Sequence, residues 1–222
     1  MHFIWIADVS GSMAINGKIQ SLNTAIKEAI PAMVHVTEEN PFVEMLVRTV
    51  AFSSGAHWHD PKPTEVHSFR WRDLSADGVT DMGAAFKLVA EELTVERMDS
   101  RGYPPVLVLI SDGGPTDNYK QGLEALIGTP WGKRAARVAI AIGQDATHEP
   151  LSEFIGNIEF PVLQANNAAT LTNYIKWVSA EVSKAASAPA SRTQEKASDN
   201  ATVSLPPPPL PSKDEDDDDD VW

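Results

Sequence analysis

The chain has 222 residues, 42% of them hydrophobic, which is enough to bury one core of ordinary size. Its formal net charge is −13 and it has no basic cluster, which argues against binding to nucleic acid or to an anionic membrane surface. Cysteine is absent, so disulfides and thiolate metal sites are excluded, and no apolar run is long enough to span a bilayer.

Apolar residues alternate between strand-like and helix-like patterns through the first four fifths of the chain. Residues 3–7 predict the first strand, and helical spacing from Ile19 to Met33 predicts a helix that Pro31 should kink or end. Further strands are predicted at residues 42–52, 64–71, 106–111, 137–142 and 160–163, and further helices at 86–98, 117–127 and 168–184. This alternation predicts a doubly wound α/β fold, with a mostly parallel sheet and helices on both faces.

The composition changes after residue 184, so we predict one domain over residues 1–184 and a tail over residues 185–222. Ala, Ser, Thr and Pro dominate the tail, which predicts disorder in isolation and a stiff polyproline II spacer at residues 206–209. The tail either only solubilises the domain, occupies the domain's own ligand site, or recruits a partner with a basic, aromatic-accepting groove, the interpretation that we favour. The residues for that contact are Asp216, Asp217, Asp218, Asp219, Asp220 and Trp222.

Oxygen-bearing side chains occur in three segments that follow or connect the predicted strands. Asp8, Ser10 and Ser12 follow the first strand, Asp112 follows the strand at residues 106–111, and Thr80 precedes a helix. Open parallel sheets bind ligands beyond the carboxyl ends of their strands. Carboxylate and hydroxyl oxygens suit Mg²⁺, Mn²⁺ or Ca²⁺, with Mg²⁺ as first choice. If the inner ligands are neutral hydroxyls, the cation keeps an open position that a partner's acidic group could fill. The alternative is an ordinary Ser/Gly turn with unrelated capping Asp residues.

The pattern D-x-S-x-S, a distant Thr and a distant Asp resembles the metal-ion-dependent adhesion site (MIDAS) of von Willebrand factor A (VWA) domains. Within that superfamily, residues 80–85 and 111–117 are most similar to the small cytoplasmic proteins of the bacterial tellurium-resistance, TerY-like, group. The resemblance covers residues 2–184. It implies a non-enzymatic stress-response adaptor that binds proteins and works beside a protein kinase and a PP2C-type phosphatase. Some relatives carry a cysteine-rich zinc ribbon after the VWA domain, and this chain has no cysteine for one.

Enzyme motifs are not matched by the sequence. The segment at residues 128–134 has three residues, not four, between its glycines and lacks the Ser or Thr of a P-loop, and there is no dinucleotide-binding or nucleophile-elbow pattern. A metal-dependent hydrolase or phosphatase that uses the same loops is the alternative, but no histidine is adjacent in sequence to a metal loop. Phosphorylation of Ser10, Ser12 or Thr80 would remove a metal ligand and add negative charge.

Two smaller groups of residues have competing interpretations. His57, His59 and His67 could form a zinc site, although exposed positions on a loop or an edge strand explain them more simply. Three aromatic residues close the core more readily than they form a partner-binding rim: Trp71, Tyr119 and Trp131. No secretory signal precedes the first apolar run, so a cytoplasmic location is expected.

Overall fold

A seven-stranded sheet forms the centre of the computed structural model, which describes residues 1–99, 102–157, 159–188, 203–209 and 222. The order is β3-β2-β1-β5-β6-β7, with β4 also paired to β2. The long strands are parallel, whereas β3 and β4 run antiparallel to β2. The strands are β1 (His2–Asp8), β2 (Leu46–Ser53), β3 (Gly55–Trp58), β4 (Thr64–Glu65), β5 (Val106–Ser111), β6 (Ala136–Ile142) and β7 (Leu163–Ala165).

The helices cover both faces of the sheet, which confirms the predicted fold class. The chain moves from β1 to β2 in one direction and from β5 through β6 to β7 in the other, so right-handed connections place their helices on opposite faces. The helix at residues 168–177 packs against the first helix, at residues 18–39. Among the other helices, the rings of Phe86 and Phe154 stack with their centroids 5.3 Å apart. The helices are α1 (Lys18–Glu39), α2 (Met82–Glu92), α3 (Tyr119–Gly128), α4 (Pro130–Arg134), α5 (His148–Ile155), α6 (Ala168–Trp177) and α7 (Ser183–Ala186).

Burial explains why the parallel strands form where they do. Every residue of β5 is buried, as are all residues of β1 except His2. A strand buried on both faces reads as a continuous apolar run, which is the pattern at residues 3–7 and 106–110. The strand order reverses between β1 and β5, so a crevice for ligands opens beyond their carboxyl ends.

The sequence predicts that Pro31 kinks or ends α1, and an end of the helix at Pro31 is wrong. The helix continues through Pro31 to Glu39. Pro31 is exposed, whereas Met33 and Val36 beyond it are buried in the core. Continuing the apolar face against the sheet therefore offsets the backbone hydrogen bond that proline cannot donate.

Several predicted bounds differ from the observed ones. The strand predicted at residues 42–52 begins at Leu46, and the edge strand predicted at residues 64–71 is only Thr64–Glu65, because the chain turns after Glu65 with Ser68 and Phe69 bonded back within the turn. The strand predicted at residues 160–163 lies at Leu163–Ala165. The helix predicted to include Met98 ends at Glu92, and α4 and α5 were not predicted.

The predicted aromatic core residues all contact the core. Trp131 is buried, and Trp71 and Tyr119 are half-buried against the core cluster. Core closure therefore accounts for Trp131, as predicted.

The last helix extends two residues beyond residue 184. A π-helical segment, Val178–Val182, joins α6 to α7, which ends at Ala186 with that side chain fully buried. Within the predicted tail, Val203 is buried and Leu205 packs against the core. No helix in the described ranges is both long and apolar enough to cross a membrane.

Two glycines allow the backbones of α2 and α3 to approach each other closely. A Cβ on Gly122 would lie 2.3 Å from the carbonyl oxygen of Gly83, whereas a Cβ on Gly128 in the same helix would meet nothing within 4 Å. The close approach fixes the first turn of α2, which directly follows Thr80 and Asp81. The residues that precede α2 are therefore positioned by α3.

We expect Gly122→Ala to lower the free energy of unfolding by about 1–3 kcal/mol, because the added methyl group forces α2 and α3 apart. Gly128→Ala is the matched control, and we expect it to be neutral or to stabilise by up to about 1 kcal/mol. Urea denaturation of both variants measures the difference. Equal stability of the two variants would contradict the proposed role of this contact.

Candidate metal centre

The parallel pairing of β1 with β5 brings two of the predicted segments together. Ala7 lies opposite Ile110 in the register, so Asp8 and Ser111 meet where the two strands end. The hydroxyl of Ser111 donates a hydrogen bond of 2.5 Å to Oδ2 of Asp8. Asp8 and Asp112 therefore lie at the same edge of the sheet, as the sequence predicts for parallel strands.

The carboxylate of Asp8 is buried and shapes the turn that follows it. Its Oδ1 accepts a hydrogen bond of 2.8 Å from the backbone N–H of Ser10. Burial raises the pKa of Asp8 to about 6; the hydrogen bonds from Ser111 and Ser10 oppose this increase, and the nearby Asp112 adds to it. A cation at this edge would favour the ionised form of Asp8.

Asp112 connects its own segment to the two serines of the segment that follows β1. The hydroxyl of Ser12 donates to Oδ1 of Asp112 at 2.7 Å, and the hydroxyls of Ser10 and Ser12 lie 3.0 Å apart. Four of the five predicted ligand residues, Asp8, Ser10, Ser12 and Asp112, thus lie in two adjoining segments that hydrogen bonds join at one edge.

Thr80 is held between the other two segments by backbone contacts. The N–H of Gly11 donates to the carbonyl of Gly78 at 3.0 Å, which joins the Thr80 segment to the turn after β1. On the other side, Thr116 and Thr80 exchange two hydrogen bonds, one from the N–H of Thr80 to the hydroxyl of Thr116 and one from the N–H of Thr116 to the carbonyl of Thr80. Thr80 itself is buried. The three segments predicted to form one site are therefore neighbours.

Asp117 contributes to this arrangement in a way that sequence reasoning missed. Its two carboxylate oxygens accept hydrogen bonds of 2.9 Å from the N–H groups of Gly83 and Ala84, in the first turn of α2. Asp81, the residue at the N-cap position, instead accepts from the N–H of Gly55 and the hydroxyl of Thr116. A carboxylate 34 residues away thus caps the helix, and capping rules that read only adjacent residues could not identify it.

Lys18 is the second residue that sequence reasoning missed. Its ammonium donates a hydrogen bond of 2.8 Å to Oδ2 of Asp112, the oxygen that Ser12 leaves free. Lys18 is the first residue of α1, where a positive charge is unfavourable to the helix dipole. This unfavourable position is a signal in the sequence that the Lys18 ammonium has an acidic partner elsewhere in the chain.

The residues at this edge fit a hard divalent cation. Two buried carboxylates, Asp8 and Asp112, lie at this edge. The neutral hydroxyls of Ser10 and Ser12 are hydrogen-bonded to each other, Ser12 also to Asp112, and Thr80 lies in the adjoining segment. Oxygen-rich donor sets of this kind bind Mg²⁺, Mn²⁺ or Ca²⁺.

The histidines do not form the alternative zinc site. Nε2 of His59 contacts the carbonyl of Arg72 at 2.9 Å, and Nε2 of His67 contacts the hydroxyl of Thr37 at 3.1 Å. In the part of the chain that the structure describes, no group of three or more His, Cys, Asp or Glu residues is arranged to hold a metal.

Of the partner-binding residues predicted in the tail, the structure describes only Trp222. Asp216, Asp217, Asp218, Asp219 and Asp220 lie outside the described residues. Trp222 is described: its N–H donates to the carbonyl of Asn166 at 3.1 Å, and its Cβ lies 3.7 Å from where a Cβ on Gly143 would be. Gly143 directly follows β6, so Trp222 lies at the same end of the sheet as the candidate metal centre.

Comparison with known proteins identifies the class. The family model of the von Willebrand factor type A domain matches residues 6–176, and the chain belongs to this family. VWA domains are generally non-catalytic interaction modules, and many of them depend on a metal ion. A search of curated proteins gives no match.

Solved structures share the fold at low sequence identity. A von Willebrand factor type A protein from Catenulispora acidiphila is 18% identical with a TM-score of 0.64, covering 83% of this chain and 42% of that one. Proximal thread matrix protein 1 from the mussel byssus, with a zinc-occupied MIDAS motif, is 19% identical with a TM-score of 0.60, covering 82% and 48%. BatB from Bacteroides thetaiotaomicron is 13% identical with a TM-score of 0.57, covering 83% and 98%. The chain thus spans less than half the length of the first two proteins.

We expect Asp117→Ala to lower the free energy of unfolding by about 1–2 kcal/mol, because two N–H groups of α2 lose their acceptor. The same change should weaken metal binding, since Thr80 lies two residues before α2. Urea denaturation and calorimetric metal titration measure the two effects. Asp145→Ala, which removes an exposed carboxylate from the loop after β6, is the control and should leave both values unchanged.

Proposed function

We propose that the protein is a non-enzymatic adaptor that binds an acidic group of a partner protein through a divalent cation. The ligand residues are Asp8, Ser10, Ser12, Thr80 and Asp112. The observation that carries this proposal is the hydrogen-bonded group of Ser10, Ser12 and Asp112 at the carboxyl edge of the sheet. Mg²⁺ is the cation that we propose, with Mn²⁺ as its nearest substitute.

The donor set explains why the partner should be acidic. The hydroxyls of Ser10, Ser12 and Thr80 are neutral, so direct coordination through them leaves the cation most of its positive charge. When bound, the cation supplies a Lewis-acidic attachment point for a carboxylate. The protein's own residues hold the loops in place: Asp8 fixes the turn at Ser10, and Asp112 orients Ser12. The mussel protein with a zinc-occupied MIDAS motif supports this assignment.

The adaptor is favoured over a hydrolase or phosphatase by the neighbours of the site. In the described part of the chain, the hydrogen-bond partners of Asp8, Ser10, Ser12 and Asp112 include hydroxyls, a backbone N–H and the Lys18 ammonium, and none is a histidine. Histidine is the side chain that hydrolases use most often as a general base.

The cellular role that we propose follows the resemblance to the TerY-like group. Residues 80–85 and 111–117, which carry it, form the Thr80 segment, the start of α2 and its cap Asp117. We therefore propose a cytoplasmic stress-response adaptor that works with a Ser/Thr kinase and a PP2C-type phosphatase. Of the three candidate phosphorylation sites, Ser12 is exposed whereas Ser10 and Thr80 are buried, so Ser12 is the site that a kinase could reach.

The tail joins the same binding surface in this proposal. Trp222 lies against Asn166 and Gly143, beside the metal edge, so a partner that reaches the cation also meets the Trp222 side chain. Its aromatic ring offers a large apolar contact area. The acidic residues Asp216 to Asp220 stand within six residues of it in the sequence and would contact a basic region of the partner.

We expect Asp112→Ala and Ser12→Ala to weaken Mg²⁺ binding by about 10–100-fold, because each removes an oxygen donor from the site or its support. Thr80→Ala should also weaken binding, with little change in melting temperature in metal-free buffer. Isothermal calorimetry measures the affinities, and Asp145→Ala is the control for a change in net charge at this end of the sheet. Unchanged affinity in Asp112→Ala would overturn the proposed function.

We expect the full chain to retain a Ser/Thr kinase and a PP2C-type phosphatase from a native lysate in Mg²⁺, and to lose them in EDTA. Trp222→Ala should retain less of both, because the aromatic contact is lost. Affinity capture with mass spectrometry measures retention, and Trp177→Ala, at an aromatic residue away from this edge, is the control. Stronger retention after removal of residues 210–222 would show that the tail covers the site.

A further inference from the structure

The ammonium of Lys18 occupies a defined position at the candidate metal centre. It lies 2.8 Å from Oδ2 of Asp112, and the side chains of the pair are 14% and 0% exposed. The other lysine pairs of the described residues are much more exposed, such as Lys27 with Asp73 at 49% and 58%. Exposed pairs of that kind contribute little, whereas a short charge-assisted bond shielded from water is stronger.

The backbone is shaped to let Lys18 reach this position. Asn16 and Gly17 both have positive φ, of 53° and 74°, and they turn the chain sharply into α1. On the other side, a Cβ on Gly143 would lie 3.2 Å from Nζ and 3.3 Å from Cε of Lys18. A side chain at position 143 would therefore crowd the lysine.

Both oxygens of Asp112 are consequently in use. Oδ1 accepts from Ser12 and Oδ2 accepts from Lys18. A divalent cation that uses Asp112, directly or through a bound water, must compete with the ammonium for this carboxylate. It must also approach a positive charge within a few ångströms, and the two repel each other strongly where water is excluded.

We propose that Lys18 is an internal cation that competes with the divalent metal for Asp112, so that Lys18 sets the metal concentration at which the site fills. The inference rests on the proposed metal site. In the absence of metal, Lys18 neutralises Asp112 and holds the start of α1 against the Asp112 loop. When the metal binds, the ammonium leaves Oδ2 and adds positive charge to the surface that the acidic partner approaches.

The test compares Mg²⁺ affinity in Lys18→Met and in the wild-type full chain. Methionine keeps the length of the side chain and removes its charge, so the dissociation constant for Mg²⁺ should fall at least about tenfold. Lys27→Met is the matched control, since it removes one charge from the same helix, and its affinity should stay within about twofold of the wild type. Isothermal calorimetry at fixed pH and ionic strength gives the values.

Two further measurements keep the outcome decisive. Lys18→Gln retains an N–H donor for Oδ2 of Asp112 but removes the charge. It should also bind Mg²⁺ more tightly than the wild type, and it takes the place of Lys18→Met if that variant does not fold. Both variants should melt at a lower temperature than the wild type in EDTA and gain more from added Mg²⁺, because at a given concentration a ligand that binds the folded state more tightly stabilises it more. Affinity equal to or weaker than the wild type in a folded Lys18 variant would overturn the inference.

The failures of the inference and of the proposed function are distinguishable. If Asp112→Ala weakens Mg²⁺ binding but the Lys18 variants do not strengthen it, only the inference fails. If no form of the chain binds Mg²⁺, or if Asp112→Ala binds as well as the wild type, the proposed function fails as well. Mg²⁺ binding that is detectable only after Lys18 is replaced would support both.

Discussion

The parallel pairing of β1 with β5 is the constraint on which the rest of the site depends. Asp8 and Asp112 are 104 positions apart, and they meet only because these strands end together. Both strands are buried on two faces, so a slip of one residue would exchange the side chains that pack on each face and disrupt the packing of both helix layers. The hydrophobic core thus fixes the position of the polar groups at the ends of these strands, and the hydrogen bond from Ser111 to Asp8 depends on that register.

The negative charges near the sheet edge are each compensated locally. Asp8 accepts from Ser10 and Ser111, Asp112 from Ser12 and Lys18, and Asp117 from two N–H groups of α2. Burying a carboxylate without such partners would be costly. The loops are therefore ordered by the protein itself, and in the proposed function the cation contributes to partner binding more than to the folding of the site. A preformed site of this kind loses little entropy when its ligand arrives.

The sequence was sufficient to predict the parts of the fold that depend on local pattern. Continuous apolar runs predicted β1 and β5, and D-x-S-x-S with Thr80 and Asp112 predicted which loops would meet. Long-range effects were not predictable in this way. The helix continues past Pro31 because Met33 and Val36 pack in the core, and neither Lys18 nor Asp117 has a neighbour in sequence that indicates its distant partner. The short β7 and the eight-residue α5 offer too few residues for a clear periodicity.

The glycine contact between α2 and α3 couples two parts of the site that the chain encodes separately. Gly83 follows Thr80 and Gly122 follows Asp112, and their backbones meet without side chains between them. Asp117, from the second part, also holds the first turn of α2. If only one of these two segments were replaced by that of another VWA domain, α2 and α3 would come from different proteins, and their contact surfaces would not match. The segments at residues 80–85 and 111–122 should therefore be inherited as a unit, and a chimera of two VWA domains must transfer both.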